Sequence, residues 1–384
     1  MNSLKNLITF SLRGLILGCL YLGITSQAHA EMAETIVEVP VSDNELVSLD
    51  GLSIAPQASG NAIISQESAV ERALQWLAEH QEADGSWDST KYEGQMLRSA
   101  STAMALLPFL GAGHCEMAGK YRKTVRKGVR YLNDLMKDPV ISYENIQSDF
   151  LSTALVLQAL SEDSIFGSSP ETRNNSNILA EYLMALYKNR MLRKSGFGEE
   201  GEWCESMWFT LAIKSAKAAD LPITKTSTAR ECYDLYKYFL AKETSEWTWR
   251  LDSLALNPKI EDVKRTWVLM SENQVMSAAH DDPFLKKAAE STCALYNHTE
   301  WMEGENMRDP LVIYFLHLAA FQQQGDMWCR WNPYMKKMVV SSQQQGEPNE
   351  FGGSWDPASE RVIKKGGRIF STALITLCLE VYHR

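Results

Sequence analysis

Three carboxylates, Asp149, Glu205 and Asp309, and three cations, Arg98, Arg265 and Arg368, are the residues of this 384-residue chain whose types and spacing suit chemistry. Each falls near the expected start of a helix in a repeating sequence. In a closed bundle such starts ring one mouth. Carboxylates facing one another there can act as general acid and base, and mixed charges can hold a polar head group. The same residues also have a structural use, because acids at helix N-termini cap them and complement the dipole. Arg265 and Arg368 oppose that dipole, so they need partners: these acids or an anionic ligand. Deeper on the same helices lie Met104, Trp208, Phe209, Trp267, Tyr314 and Phe370. They can line an apolar pocket or fill a core.

Other chemistry is sparse. His114, His280, His298 and His317 are scattered, and His317 sits in an apolar run, as a core histidine would. There is no Gly-rich phosphate loop and no Gly-x-Ser-x-Gly elbow. Asp281-Asp282 precedes Pro283, which reads as a helix start. Glu202-x-Cys204 lacks a convincingly placed histidine for zinc. No metal site or cofactor is expected. The net charge of −10 leaves no basic surplus for nucleic acid. A composition 45% hydrophobic and 22% charged excludes a mostly disordered chain and a polytopic membrane protein.

The elements that position these residues come from an internal repeat. Ser65 is an N-cap for a helix carrying Ala69, Val70, Ala73, Leu74 and Leu77 at helical spacing. Gln81-Glu82-Ala83-Asp84-Gly85-Ser86-Trp87-Asp88 follows as a turn, then a second apolar helix over 99–110. Near the C-terminus the order returns: a helix over 328–345, Gly352-Gly353-Ser354-Trp355-Asp356, and a helix over 367–382. Between these ends, aromatics recur after helix ends at Trp87, Tyr143, Phe197, Trp249, Trp301 and Trp355, separated by 56, 54, 52, 52 and 54 residues. The spacing predicts six helix pairs. Both end units are apolar, whereas an open solenoid needs polar caps. An all-α, α6/α6 toroid over 64–384 is therefore expected, with about twelve helices in six repeats of about 54 residues.

Gln81-x-x-x-Gly85-x-Trp87 followed by a small-residue helix resembles the QW-type motif of squalene-hopene cyclases, within the prenyltransferase/squalene-oxidase repeat group. The stretches Gly366-Gly367-Arg368-Ile369-Phe370-Ser371-Thr372 and Phe109-Leu110-Gly111-Ala112-Gly113-His114 resemble secreted bacterial members of unassigned activity. The likeness covers about 64–384, strongest at both ends, and implies the same toroid. The motif's own role is structural: Gly85 and Gly353 permit the turn, and Trp87 and Trp355 pin it to a helix. The D-x-D-D acid of those cyclases is absent, as are the zinc triad of protein prenyltransferases and the Gly-Cys-Gly-Glu-Gln thioester of complement-like toroids.

Residues 1–30 have the order of a secretory signal peptide: Lys5 and Arg13, an apolar run, then Ala28-His29-Ala30. Residues 31–63 are expected to form an acidic tail or linker, with Glu31, Glu34, Glu38, Asp43, Glu45 and Asp50 and no Lys or Arg up to residue 62. Export, to periplasm or medium, permits disulfides among Cys115, Cys204, Cys232, Cys293, Cys329 and Cys378. Spacing selects no pairing, and buried free thiols are the simpler expectation. No membrane segment is expected after cleavage.

Three functions follow. The first is an exported terpenoid-cyclase-like protein, without the cyclase acid, that binds a hydrophobic or isoprenoid-like molecule or a protein partner in its cavity. The second is a polysaccharide lyase or glycoside hydrolase using Asp149, Glu205 and Asp309. The third is a non-catalytic structural envelope protein with a packed centre. A deep apolar cavity favours the first, an open acidic cleft the second and a filled centre the third.

Overall fold

A computed structural model describes residues 65–381 apart from 195–201, 255, 257, 277, 299–301, 303 and 358–365. The expected signal peptide and acidic stretch, 1–30 and 31–63, lie outside the described residues, as do Phe197 and Trp301. Among the described residues the fold is all helical, with no strand.

Among the described residues twelve helices of 13 residues or more alternate between two kinds. The first of each pair is α1 (Gln66–Glu79), α3 (Arg122–Leu135), α5 (Pro170–Lys194), α7 (Ser227–Trp247), α9 (Pro283–Leu295) and α11 (Gly325–Ser342). The second is α2 (Arg98–Gly111), α4 (Phe150–Ile165), α6 (Glu202–Ala218), α8 (Ile260–Val275), α10 (Pro310–Gln323) and α12 (Gly367–Leu379). The kinds differ in burial. Helix α3 buries one stripe, Val125, Gly128, Val129, Leu132 and Asn133. Helix α12 is buried on every side from Gly367 to Leu379, as is α2 from Ser99 to Leu110. A helix apolar all round belongs inside a larger assembly.

The all-round buried helices touch in a closed order: α2 meets α4, α4 meets α6, α6 meets α8, α8 meets α10, α10 meets α12, and α12 meets α2. The one-stripe helices flank them, with contacts α3–α5, α5–α7, α9–α11 and α11–α1.

The two Gly-x-Trp turns show how neighbouring units join. Gln81 Nε2 donates to the Gly85 carbonyl and to Thr124 O of α3, both at 2.9 Å. Gly85 has φ +95, and a Cβ there would lie 2.3 Å from Lys127 O. Trp87 is fully buried. Its amide donates to Thr102 Oγ1 at 3.0 Å and its Nε1 to Leu77 O at 2.7 Å. The last unit repeats each contact against the first. Gln343 Nε2 donates to Gly353 O and to Ala69 O of α1, both at 2.8 Å. Gly353 has φ +96, with a Cβ position 2.4 Å from Arg72 O. Trp355 donates to Thr372 Oγ1 at 3.1 Å and to Val339 O at 2.7 Å. The last unit thus docks on the first as the first docks on the second.

The middle aromatics do not anchor as Trp87 and Trp355 do. Tyr143 is 56% exposed and Trp249 66% exposed. Tyr143 lies in a π-helical turn, Tyr143–Gln147, whose buried side chain is Ile146 instead. Among the described residues Cys115, Cys232, Cys293, Cys329 and Cys378 form no disulfide, the first two and Cys378 being buried. The Cys204 side chain lies outside the described residues.

Candidate functional site

The six charged residues singled out by spacing each have a local partner. Asp149 is the N-cap of α4, its Oδ2 accepting from Ser152 N at 2.7 Å and Ser152 Oγ at 2.6 Å. Asp309 is the N-cap of α10, with Oδ1 accepting from Leu311 N at 2.9 Å and Oδ2 lying 3.9 Å from the buried Lys264 ammonium. Glu205 pairs with Arg190 at the end of α5. Arg98, the first residue of α2, pairs with Asp88, and Arg368, the second of α12, with Asp356 and Glu93. Arg265 departs from its expected place at a helix start. It is the sixth residue of α8, which begins at Ile260, and it pairs with Glu243 of α7. The cations Arg98, Arg265 and Arg368 therefore meet acids in the turns and on α7, and not Asp149, Glu205 or Asp309.

The aromatic residues divide. Trp208 of α6 stacks on Tyr314 of α10 with ring centroids 5.7 Å apart and planes at 8°. It also meets Phe370 of α12 edge-on at 6.4 Å. Helices α6 and α12 are opposite members of the contact cycle, so these rings cross its middle. All three are buried. Trp267 and Phe209, by contrast, point to the flanking helices. Trp267 Nε1 donates to Thr292 Oγ1 of α9 at 3.1 Å, and Phe209 stacks on Tyr187 of α5 at 3.9 Å. Of the two uses the sequence offered Trp267, pocket lining or core filling, its full burial and its bond to α9 match the second.

One constellation escaped the sequence reading. Glu272 of α8 is buried, and its Oε1 accepts from Ser206 Oγ of α6 at 2.5 Å. Burial pushes its carboxyl up to about 8, against the hydrogen bonds of Ser206 and Tyr236 and the charge of Arg265. Tyr236 OH lies 2.6 Å from Thr210 Oγ1. The burial of Glu272 follows from the enclosure of α8 on all sides, which no local sequence pattern states. The same holds for Asp163, raised to about 7 by burial and by the neighbouring Glu116 carboxylate. Burial pushes Lys214 down to about 7. His317 is pushed to about 3 by burial and Lys336, and its Nδ1 accepts from Trp331 Nε1 at 3.3 Å. Among the described residues no group of three His, Cys, Asp or Glu can hold a metal ion. No helix among them is long and apolar enough to cross a membrane.

Chemically, the helix starts offer charge pairs that close on themselves, the middle of the contact cycle offers aromatic packing, and the perturbed acids Glu272 and Asp163 are buried. Comparison with protein-family models, with curated proteins and with solved structures found no match.

Proposed function

We propose that the chain is an exported α6/α6 toroid, similar to terpenoid cyclases in its end repeats, with a packed centre, and that it acts without catalysis as a structural envelope protein engaging partners through its surface. The toroid reading draws on the closed order of inner-helix contacts and on the seam between last and first units. The packed centre rests on one observation: Trp208 reaches Tyr314 and Phe370 across the cycle, where a ligand would otherwise lie. A bound isoprenoid would need those rings to part. The lyase or glycosidase reading draws little from the rim, since Asp149 and Asp309 cap helices and Glu205 holds Arg190.

The test is mass spectrometry of what the purified protein releases on denaturation. The expected result is no stoichiometric lipid or isoprenoid. A released lipid at one per chain would return the protein to the ligand-binding class. A polysaccharide screen yielding activity that Asp149→Ala abolishes, with the fold intact, would return it to the enzymes.

A further inference from the structure

Between α3 and α4 the chain forms a surface that serves no purpose in the core. The short helix Pro139–Ser142 and the π-helical turn after it bury Ser142 and Ile146. They turn the larger apolar side chains outward: Val140 is 65% exposed, Ile141 44% and Tyr143 56%. In the neighbouring unit Ser99 Oγ donates to the Asn145 carbonyl and ties the two loops together. The backbone under this patch is fixed. Asp138 caps the short helix, accepting from Val140 N at 2.8 Å, and Tyr182 OH donates to Gln147 O at 3.1 Å. Aliphatic and aromatic side chains held outward on a fixed backbone are the composition of an interface centre.

The charge around the patch selects the occupant. From Asp134 to Asp149 the chain carries Asp134, Asp138, Glu144 and Asp149 against one cation, Lys137, which bonds Asp134 at 2.5 Å. A second copy would bring the same acids and be repelled. Residues 31–62 of the chain itself carry six acids and no Lys or Arg, and are repelled likewise. Anionic lipid head groups share that sign. A partner with apolar side chains set among Lys and Arg complements both features.

We propose that the surface of Val140, Ile141 and Tyr143 docks a cationic amphipathic segment of a partner protein. The inference rests on the reading of the chain as a surface-acting protein, yet the two fail separately, because lipid release tests the centre and peptide binding tests the loop.

The probe is a synthetic Leu/Lys amphipathic peptide, with a Leu/Glu peptide of the same pattern as its control, titrated calorimetrically into the full chain. The peptide is expected to bind the wild type and to lose at least about tenfold in affinity against V140S/I141S/Y143S. It should lose severalfold against Glu144→Gln or in high salt, as screened charge pairs do. The Leu/Glu peptide is expected not to bind. The single variant Tyr143→Ser repeats the test if the triple variant melts early. Equal affinity of wild type and both variants for the Leu/Lys peptide overturns the proposal. So does equal binding of the Leu/Glu peptide, dimerisation of the wild type that the triple variant abolishes, or patch-dependent sedimentation with vesicles of anionic and zwitterionic lipid.

Discussion

Glu272→Gln should stabilise this protein at neutral and alkaline pH and leave it little changed in acid. The carboxyl is buried to 1% exposure and held at about 8, against an ordinary value of 4.5. A folded value above the unfolded one means that the native state binds the proton more tightly. Its contribution is full below pH 4.5 and is lost as pH rises towards 8. At 1.36 kcal/mol per pH unit, the loss is about 3 kcal/mol by pH 7 and approaches about 5 kcal/mol above pH 8. Glutamine keeps an acceptor for Ser206 Oγ and cannot ionise. Urea unfolding of wild type and variant at pH 5, 7 and 9 measures the difference directly. Asp163, Lys214 and Lys217 titrate in the same window. They are common to both proteins and cancel in the comparison. The variant's advantage should grow by about 4 kcal/mol between pH 5 and 9. Parallel stability profiles would refute the reasoning, because a Glu272 reached by water would titrate normally.

Other perturbations read other parts of the fold. Gly353→Ala, at φ +96 and against Arg72 O, should destabilise by at least about 2 kcal/mol, measured by urea unfolding; a neutral result would mean that the last unit is not clamped to α1. Trp208→Ala should cost about 3–5 kcal/mol and open a site for an apolar fluorescent probe that the wild type does not bind. If the wild type already binds the probe there, the centre is not packed. Asp149→Ala and Asp309→Ala should each lower stability by about 1 kcal/mol through loss of an N-cap, without changing turnover on any polysaccharide tested.

The end units were legible in the sequence because each residue of their motif has one job. Gln81 bridges two carbonyls, Gly85 passes under Lys127 O, and Trp87 fills the gap between helices. The middle units were legible only in length. Their aromatics kept the period, but Tyr143 and Trp249 face solvent, and the packing passed to residues such as Ile146. The place of Trp267 has a geometric cause. Arg265 was expected near the start of α8, yet α8 begins at Ile260, whereas Arg368 is the second residue of α12. In the observed register the Trp267 indole bonds Thr292 on α9. Among the site residues, the two caps Asp149 and Asp309 were readable, since a short acid before an apolar run is a helix start. Glu272 was not, because its burial depends on α8 being enclosed on all sides, which no local pattern states.

The seam between the last and first units decides whether the cycle closes at all. Units elsewhere are joined by the chain, but here the contact is non-covalent between residues as far apart as Gln66 and Leu379, 313 positions. Closing a loop of that length costs about 5 kcal/mol in chain entropy. Against it stand Gln343 Nε2 on Ala69 O at 2.8 Å, Trp76 Nε1 on Glu350 O at 2.9 Å and Arg72 on Gln344 O and Gln345 Oε1 at 3.0 Å. Arg368 adds a charged contact to Glu93 at 3.2 Å. Neutral hydrogen bonds contribute about 1 kcal/mol each, and burying Trp76 adds about 2–3 kcal/mol. The seam therefore outweighs its entropic cost by a margin of a few kcal/mol. The Gln, Gly and Trp set of the last unit supplies part of that margin, through Gln343 on Ala69 O and the close approach of Gly353 to Arg72 O.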